Sequence, residues 1–149
     1  MLYIFLIDKE AMMDYKDYKK SYKGLIIFLV IHFSVLICVS LLSVWKDFLP
    51  LLLIANIITV GMTLLMYIMV VTENIYWMNG IEYEKALLAG SKRRKDYALK
   101  HFKTLGKVTL FGLILTILSI IFDWSQFIVF PIIFISFIIA CISTVRFKL

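Results

Sequence analysis

Charge, cysteine, proline and glycine are all scarce in this chain, and each shortage excludes something. Only 17% of its 149 residues are charged while 62% are hydrophobic, giving a mean hydropathy of +0.95. A soluble domain of this size leaves roughly a third of its unfolded-chain surface facing water, and so few polar residues cannot cover it. The bilayer is therefore its main solvent. The same composition excludes a disordered tail and a coiled coil, both of which need far more charge. Two cysteines, Cys38 and Cys141, with no CxxC pair, exclude a disulfide-stapled secreted domain and read as small buried hydrophobes. Of the two prolines, Pro50 falls in the first turn of a helix, where a missing amide is harmless, and Pro131 falls inside one. No HExxH, GxSxG, P-loop, glycine-rich dinucleotide turn or acidic metal pair occurs, so neither catalysis nor a metal or other cofactor is expected.

What remains is four apolar stretches, Leu25 to Val44, Phe48 to Val71, Val108 to Phe122 and Phe127 to Val145. Each is helical by necessity, because in hydrocarbon every backbone amide must find its partner within the segment, and about 20 residues cross the core. Starting the short third span at Leu105, with Lys107 snorkelling to the headgroups, restores its length. The tips Trp45-Lys46-Asp47 and Asp123-Trp124-Ser125-Gln126 are tight and carry interfacial tryptophans. Lysine and arginine number five in the first 23 residues, eight between Thr72 and Lys107 and two in the tail, against the single Lys46 at a tip. The positive-inside bias thus places both termini and the connector in the cytoplasm. The expected fold is all-α: a polytopic membrane protein with four transmembrane helices as two helical hairpins. Its parts are a cytoplasmic N-terminal segment (1–23), a first hairpin (24–71), a basic amphipathic connector (72–104), a second hairpin (105–145) and a cytoplasmic tail (146–149). The Ile, Phe, Lys and Met bias suggests a bacterial plasma membrane from an AT-rich genome.

Two features of the chain's organisation stay open at this level. Met1 to Ile7 is apolar but too short to cross; either it lies in the interface as an anchor, or translation begins at Met13, after a Lys9-Glu10-Ala11 stretch that a purine-rich ribosome-binding sequence can encode. An offset of 79 places Lys16-Asp17-Tyr18 on Lys95-Asp96-Tyr97, Ser40 on Ser119, Trp45 on Trp124 and Phe48 on Phe127. That is either a parallel duplication or the common need of two hairpins for a basic entry and an aromatic tip.

Each span has one small or polar face. Asn56, Thr59, Thr63, Tyr67 and Asn74 share a sector of about 80°, as do Thr109, Gly112, Thr116, Ser119 and Asp123, while Ser136, Ala140 and Ser143 align on the fourth span. His32 is the deep titratable side chain, expected as a neutral imidazole bonded to a hydroxyl of a neighbouring helix, with Thr63 at comparable depth. Such faces serve helix packing, or they line a polar path; with no charged residue well inside any span, a proton relay has little to work with.

Water-soluble chemistry concentrates in the connector. A first segment runs from Ile75 to Leu88, broken at Asn79-Gly80 and ended by Ala89-Gly90; Ser91 can then cap a helix carrying Lys92, Arg93, Arg94, Lys95, Lys100 and Lys103. Four consecutive cations beside a bilayer attract anionic headgroups at about 1 kcal/mol each, or dock an acidic protein partner; nucleic acid is not expected. The function expected is a non-catalytic membrane subunit that binds a partner, of accessory or immunity type. A homo-oligomeric channel or small transporter lined by the second and third spans, and a membrane-disrupting toxin or phage-defence effector, are the rival classes.

Overall fold

A computed structural model describes residues 18–45, 50–78 and 80–149. The apolar anchor, the alternative start at Met13, the tip Lys46-Asp47 and the aligned residues Lys16, Asp17 and Phe48 lie outside the described residues. Among those described, all regular structure is helical: α1 (Lys23–Trp45), α2 (Pro50–Thr72), a 3-10 turn (Ile75–Trp77), α3 (Tyr83–Ile121) and α4 (Gln126–Thr144). All four α-helices are long and apolar enough to cross a membrane. At about 1.5 Å per residue the 23 residues of α1 and of α2 reach about 35 Å, enough for a hydrocarbon core of about 30 Å.

The connector's second helix and the third span, expected as separate elements, form one continuous rod. The break in α3 lies earlier, at Gly90 (φ 76°, ψ 158°), a conformation open essentially to glycine alone. Beyond it, residues 91–121 run uninterrupted for about 46 Å, some ten residues more than a hydrocarbon core of about 30 Å takes up. No proline stands at the junction, and the single Gly106 costs the helix only about 1 kcal/mol, so the helix continues through it.

The centre of the bundle is α2, which packs most extensively on α3 and also on α1 and α4. By contrast α1 is an outlier: none of its apolar window is buried within the molecule, against 39% for α2. Leu52, Ala55, Val129 and Ile133 form a core near the tips, and a larger one around Met66, Met69, Ile75, Tyr76, Ala98 and Leu105 fills the opposite end, called here the base. Gly24 admits the Trp77 indole there: a Cβ would stand 3.0 Å from Cη2. At the other end Ser119 closes the α3–α4 turn, its hydroxyl donating to the Trp124 carbonyl (3.1 Å) while the Trp124 amide donates to its carbonyl (2.9 Å).

Candidate functional site

The polar faces of α2 and α3 meet each other. Asn56 Nδ2 donates to Thr116 Oγ1 (2.7 Å) and to the Leu52 carbonyl (2.7 Å). Thr109 Oγ1 donates to the Thr59 carbonyl (3.0 Å), which uses its one proton, so Thr63 is the donor in the 2.8 Å Thr63–Thr109 contact. Thr59 returns its own proton to the Asn56 carbonyl (3.1 Å). Gly112 lets α4 approach α3, since a Cβ there would come within 3.3 Å of Ile133, and it would stand 3.6 Å from Asn56 Oδ1 across the seam. The serines of α4 bond within their own helix, Ser136 to the Ile132 carbonyl and Ser143 to that of Ala140. Asn56, Thr59 and Thr109 are buried, as close helix approach in lipid requires.

Three of the polar residues expected together lie elsewhere. His32 does not meet Thr63, whose hydroxyl is engaged with Thr109; its ring stacks on Phe28 (5.6 Å, 8°) and tucks over Gly61, where a Cβ would overlap Cε1 at 2.0 Å. Tyr67 is 52% exposed and tilts against Phe102. Ser119 belongs to the tip turn.

At the base a second polar cluster organises around Glu73, which ends α2 in a left-handed conformation (φ 60°). Arg94 reaches its Oε2 through Nε (3.0 Å) and Nη2 (2.8 Å); Lys95 Nζ (3.0 Å) and Ser91 Oγ (2.7 Å) reach Oε1. The Arg94 guanidinium also lies 4.0 Å above the Tyr18 ring and donates to the Ala86 carbonyl. Burial alone would raise the Glu73 pKa, but hydrogen bonds from Ser91, Lys95 and Arg94 outweigh it and hold the carboxyl below its ordinary value.

The same cluster straps residues 18–22 to the connector. Tyr18 donates to the Glu73 carbonyl (2.9 Å), Tyr83 donates to that of Tyr18, and the Ser21 carbonyl accepts from both Tyr76 (2.8 Å) and Trp77 (2.9 Å). Tyr18 and Tyr83 stack in parallel, and desolvation pushes the Tyr18 phenol far up, so it stays neutral. Nothing in the sequence tied Glu73 to Arg94, 21 residues on; a lone acid directly after a span was the available signal.

Arg94, expected on a lipid- or partner-facing surface, is therefore turned inward and is 1% exposed. The helical period explains this: Arg94 shares its face with the buried Tyr97, Ala98 and His101, while the neighbouring cations point away. Lys92, Arg93, Lys100, Lys103 and Lys107 are exposed and fall within about 100° of one another, interrupted by Asp96. Lys95 is exposed on the flank, where it also pairs with Glu73. Among the described residues no three His, Cys, Asp or Glu side chains gather as a metal site. Beside this stripe His101 is buried, its Nδ1 on the Tyr97 carbonyl (2.9 Å), and Phe147 of the tail packs edge-on against it at 5.0 Å. Compared with models of known protein families, with curated proteins and with solved structures, the chain matches none, and its own residues carry the functional reading.

Proposed function

We propose that this chain is a multi-pass protein of a bacterial plasma membrane, with two helical hairpins and both termini cytoplasmic, that acts by binding and not by catalysis. Its partner is a membrane or cytosolic protein with an acidic face, or a further copy of the chain, held beside anionic headgroups. The observation that supports this best is the division of polar groups. Asn56, Thr59, Thr63, Thr109 and Thr116 are joined to one another or to nearby carbonyls across the α2–α3 seam, which leaves them little reason to line a lumen. The unspent charge stands on α3. Lys103 and Lys107 fall at headgroup level, while Lys92 and Arg93 stand about 15 Å or more farther along the rod, beyond the reach of most headgroup charge at a Debye length of about 8 Å.

Two measurements test this. Purified protein in liposomes should leave an imposed ion gradient intact, whereas a channel would dissipate it. Reversing Lys92, Arg93, Lys100 and Lys103 to Glu should release a protein that co-purifies from native membranes, and reversing Lys148 in the tail should not. A leak, or a complex indifferent to the four reversals, would overturn the proposal.

A further inference from the structure

The tail beyond α4 folds back over the base. Phe147 stands edge-on to the buried His101 ring, and both Phe147 and Leu149 pack against the larger core. Together with Met78 and Ile81 from the turn after α2, and Tyr97 from α3, the tail walls a pocket of 500 Å³. Lys85, from the part of α3 before Gly90, and Lys148, from the tail, also line it.

Three donors of this pocket have nothing to donate to. Tyr97 is 9% exposed; its hydroxyl has no hydrogen-bond partner among the described residues, yet the oxygen is not sealed in. A phenol keeps its proton at neutral pH and so offers a hydrogen bond. Lys85 and Lys148 are exposed and form no ion pair with a described residue, and among the described residues no acidic side chain lines the pocket. Two like charges around one cavity repel each other, and a largely buried hydroxyl left unpaired costs free energy. An anion between them relieves both.

The walls narrow the kind of anion. The donors come from three separate segments, so a single acceptor group must present oxygens in several directions. A phosphate monoester has three, spread tetrahedrally, whereas a carboxylate has two in one plane and suits the fork of an arginine better. Met78, Ile81 and Phe147 give the rest of the cavity an apolar lining, which a bare inorganic ion would leave unused. The level fits as well. Thr144, on the pocket wall, ends α4 after 19 residues or about 28 Å, close to the thickness of a hydrocarbon core, which is where headgroup phosphates lie.

We propose that this pocket binds a phosphate monoester carrying an apolar group, its oxygens accepting from Tyr97 Oη, Lys85 Nζ and Lys148 Nζ and its apolar part lying against Met78, Ile81 and Phe147. The ester is borne by a lipid or is free in the cytosol, and the same three donors serve either. The cations of the α3 stripe do not line this site.

The test reconstitutes the full chain in phosphatidylcholine nanodiscs containing a minor share of phosphatidic acid, a monoester, or of phosphatidylglycerol, a diester. Native mass spectrometry counts the anionic lipid retained per chain, and hexyl phosphate is titrated separately into nanodiscs of phosphatidylcholine alone and followed by ³¹P line broadening. One phosphatidic acid per chain should be held about tenfold better than phosphatidylglycerol. Lys85→Gln combined with Lys148→Gln, both at exposed positions that the fold does not need, should weaken binding about tenfold or more, and Tyr97→Phe about fivefold at unchanged helix content. Lys92→Gln with Arg93→Gln, on the stripe, should change nothing. Retained phosphatidic acid that hexyl phosphate cannot displace identifies a lipid source; saturable hexyl phosphate binding that the same variants abolish identifies a free ester; both support the site. The proposal is overturned if neither ligand binds saturably, if phosphatidylglycerol is held as well as phosphatidic acid, if the paired lysine variant binds normally, or if the stripe variant loses as much.

Discussion

Removing Arg94 alone leaves Glu73 as a carboxylate that is 16% exposed, with Ser91 and Lys95 still at Oε1 and nothing charged at Oε2. Losing one partner of a buried pair costs about 3–5 kcal/mol. Lys95 compensates weakly, because it is 54% exposed and such pairs are worth about 1 kcal/mol or less. Arg94→Met, which retains much of the aliphatic stem but loses the guanidinium over Tyr18, should therefore destabilise the protein by about 3 kcal/mol. Glu73→Leu should cost at least as much, since it takes the carboxylate from a guanidinium that is 1% exposed. The double variant removes both charges and should recover most of the loss, giving a coupling energy of about 2 kcal/mol or more in a double-mutant cycle. Unfolding in detergent, followed by helix signal and by protease cleavage within residues 18–22, reads both the global and the local effect. Each single variant should release the strap. Additive losses, or a strap that stays protected in both singles, would refute the assignment of this pair as the organiser of the base.

Gly61→Val puts side-chain carbon where the His32 ring lies, 2.0 Å from Cε1, so α1 should part from α2; cysteine cross-linking between the two helices should fall, and His32→Ala in the same chain should restore it. Gly90→Ala meets no atom within 4 Å yet forces an L-residue to φ 76°, and should cost about 2 kcal/mol of stability through the backbone alone, measured by unfolding in detergent. For Glu73, whose folded pKa is depressed, the stabilisation is fully present above its ordinary value of 4.5 and is lost as pH falls through the folded value. The strap should hold between pH 6 and 8 and become protease-sensitive only in acid below that range; in Glu73→Gln this pH dependence should vanish. Thr109→Val deletes two seam bonds and should cost only about 1 kcal/mol, because inter-helix hydrogen bonds in membranes average about 0.6 kcal/mol; a much larger loss would mean that the seam does more than pack.

Much of the fold was legible in advance because the membrane imposes local rules. A span must be helical, apolar and of a given length, and all three can be counted along the chain; the glycine at position 90 marked a break for the same local reason. The polar faces of α2 and α3 were legible too, since residues at helical spacing share a side whatever they touch. Partners were not. His32 met a glycine where a hydroxyl was expected, Ser119 turned to its own tip, and Arg94 rotated inward while its neighbours Lys92 and Arg93 faced out. Side-chain chemistry ranks candidate partners; which of them comes within 3 Å depends on how the helices cross.

The amino-acid order alone decided that this is a chain of helices long and apolar enough to cross a membrane, and where its four apolar rods lie, because length and hydropathy belong to each segment by itself. Only the packed bundle decided that α3 runs unbroken through the connector boundary, that Glu73 gathers Arg94, Lys95 and Ser91, and that the His32 ring closes over Gly61. Those are relations between helices, set by crossing angle and by the places where a missing Cβ lets two surfaces close.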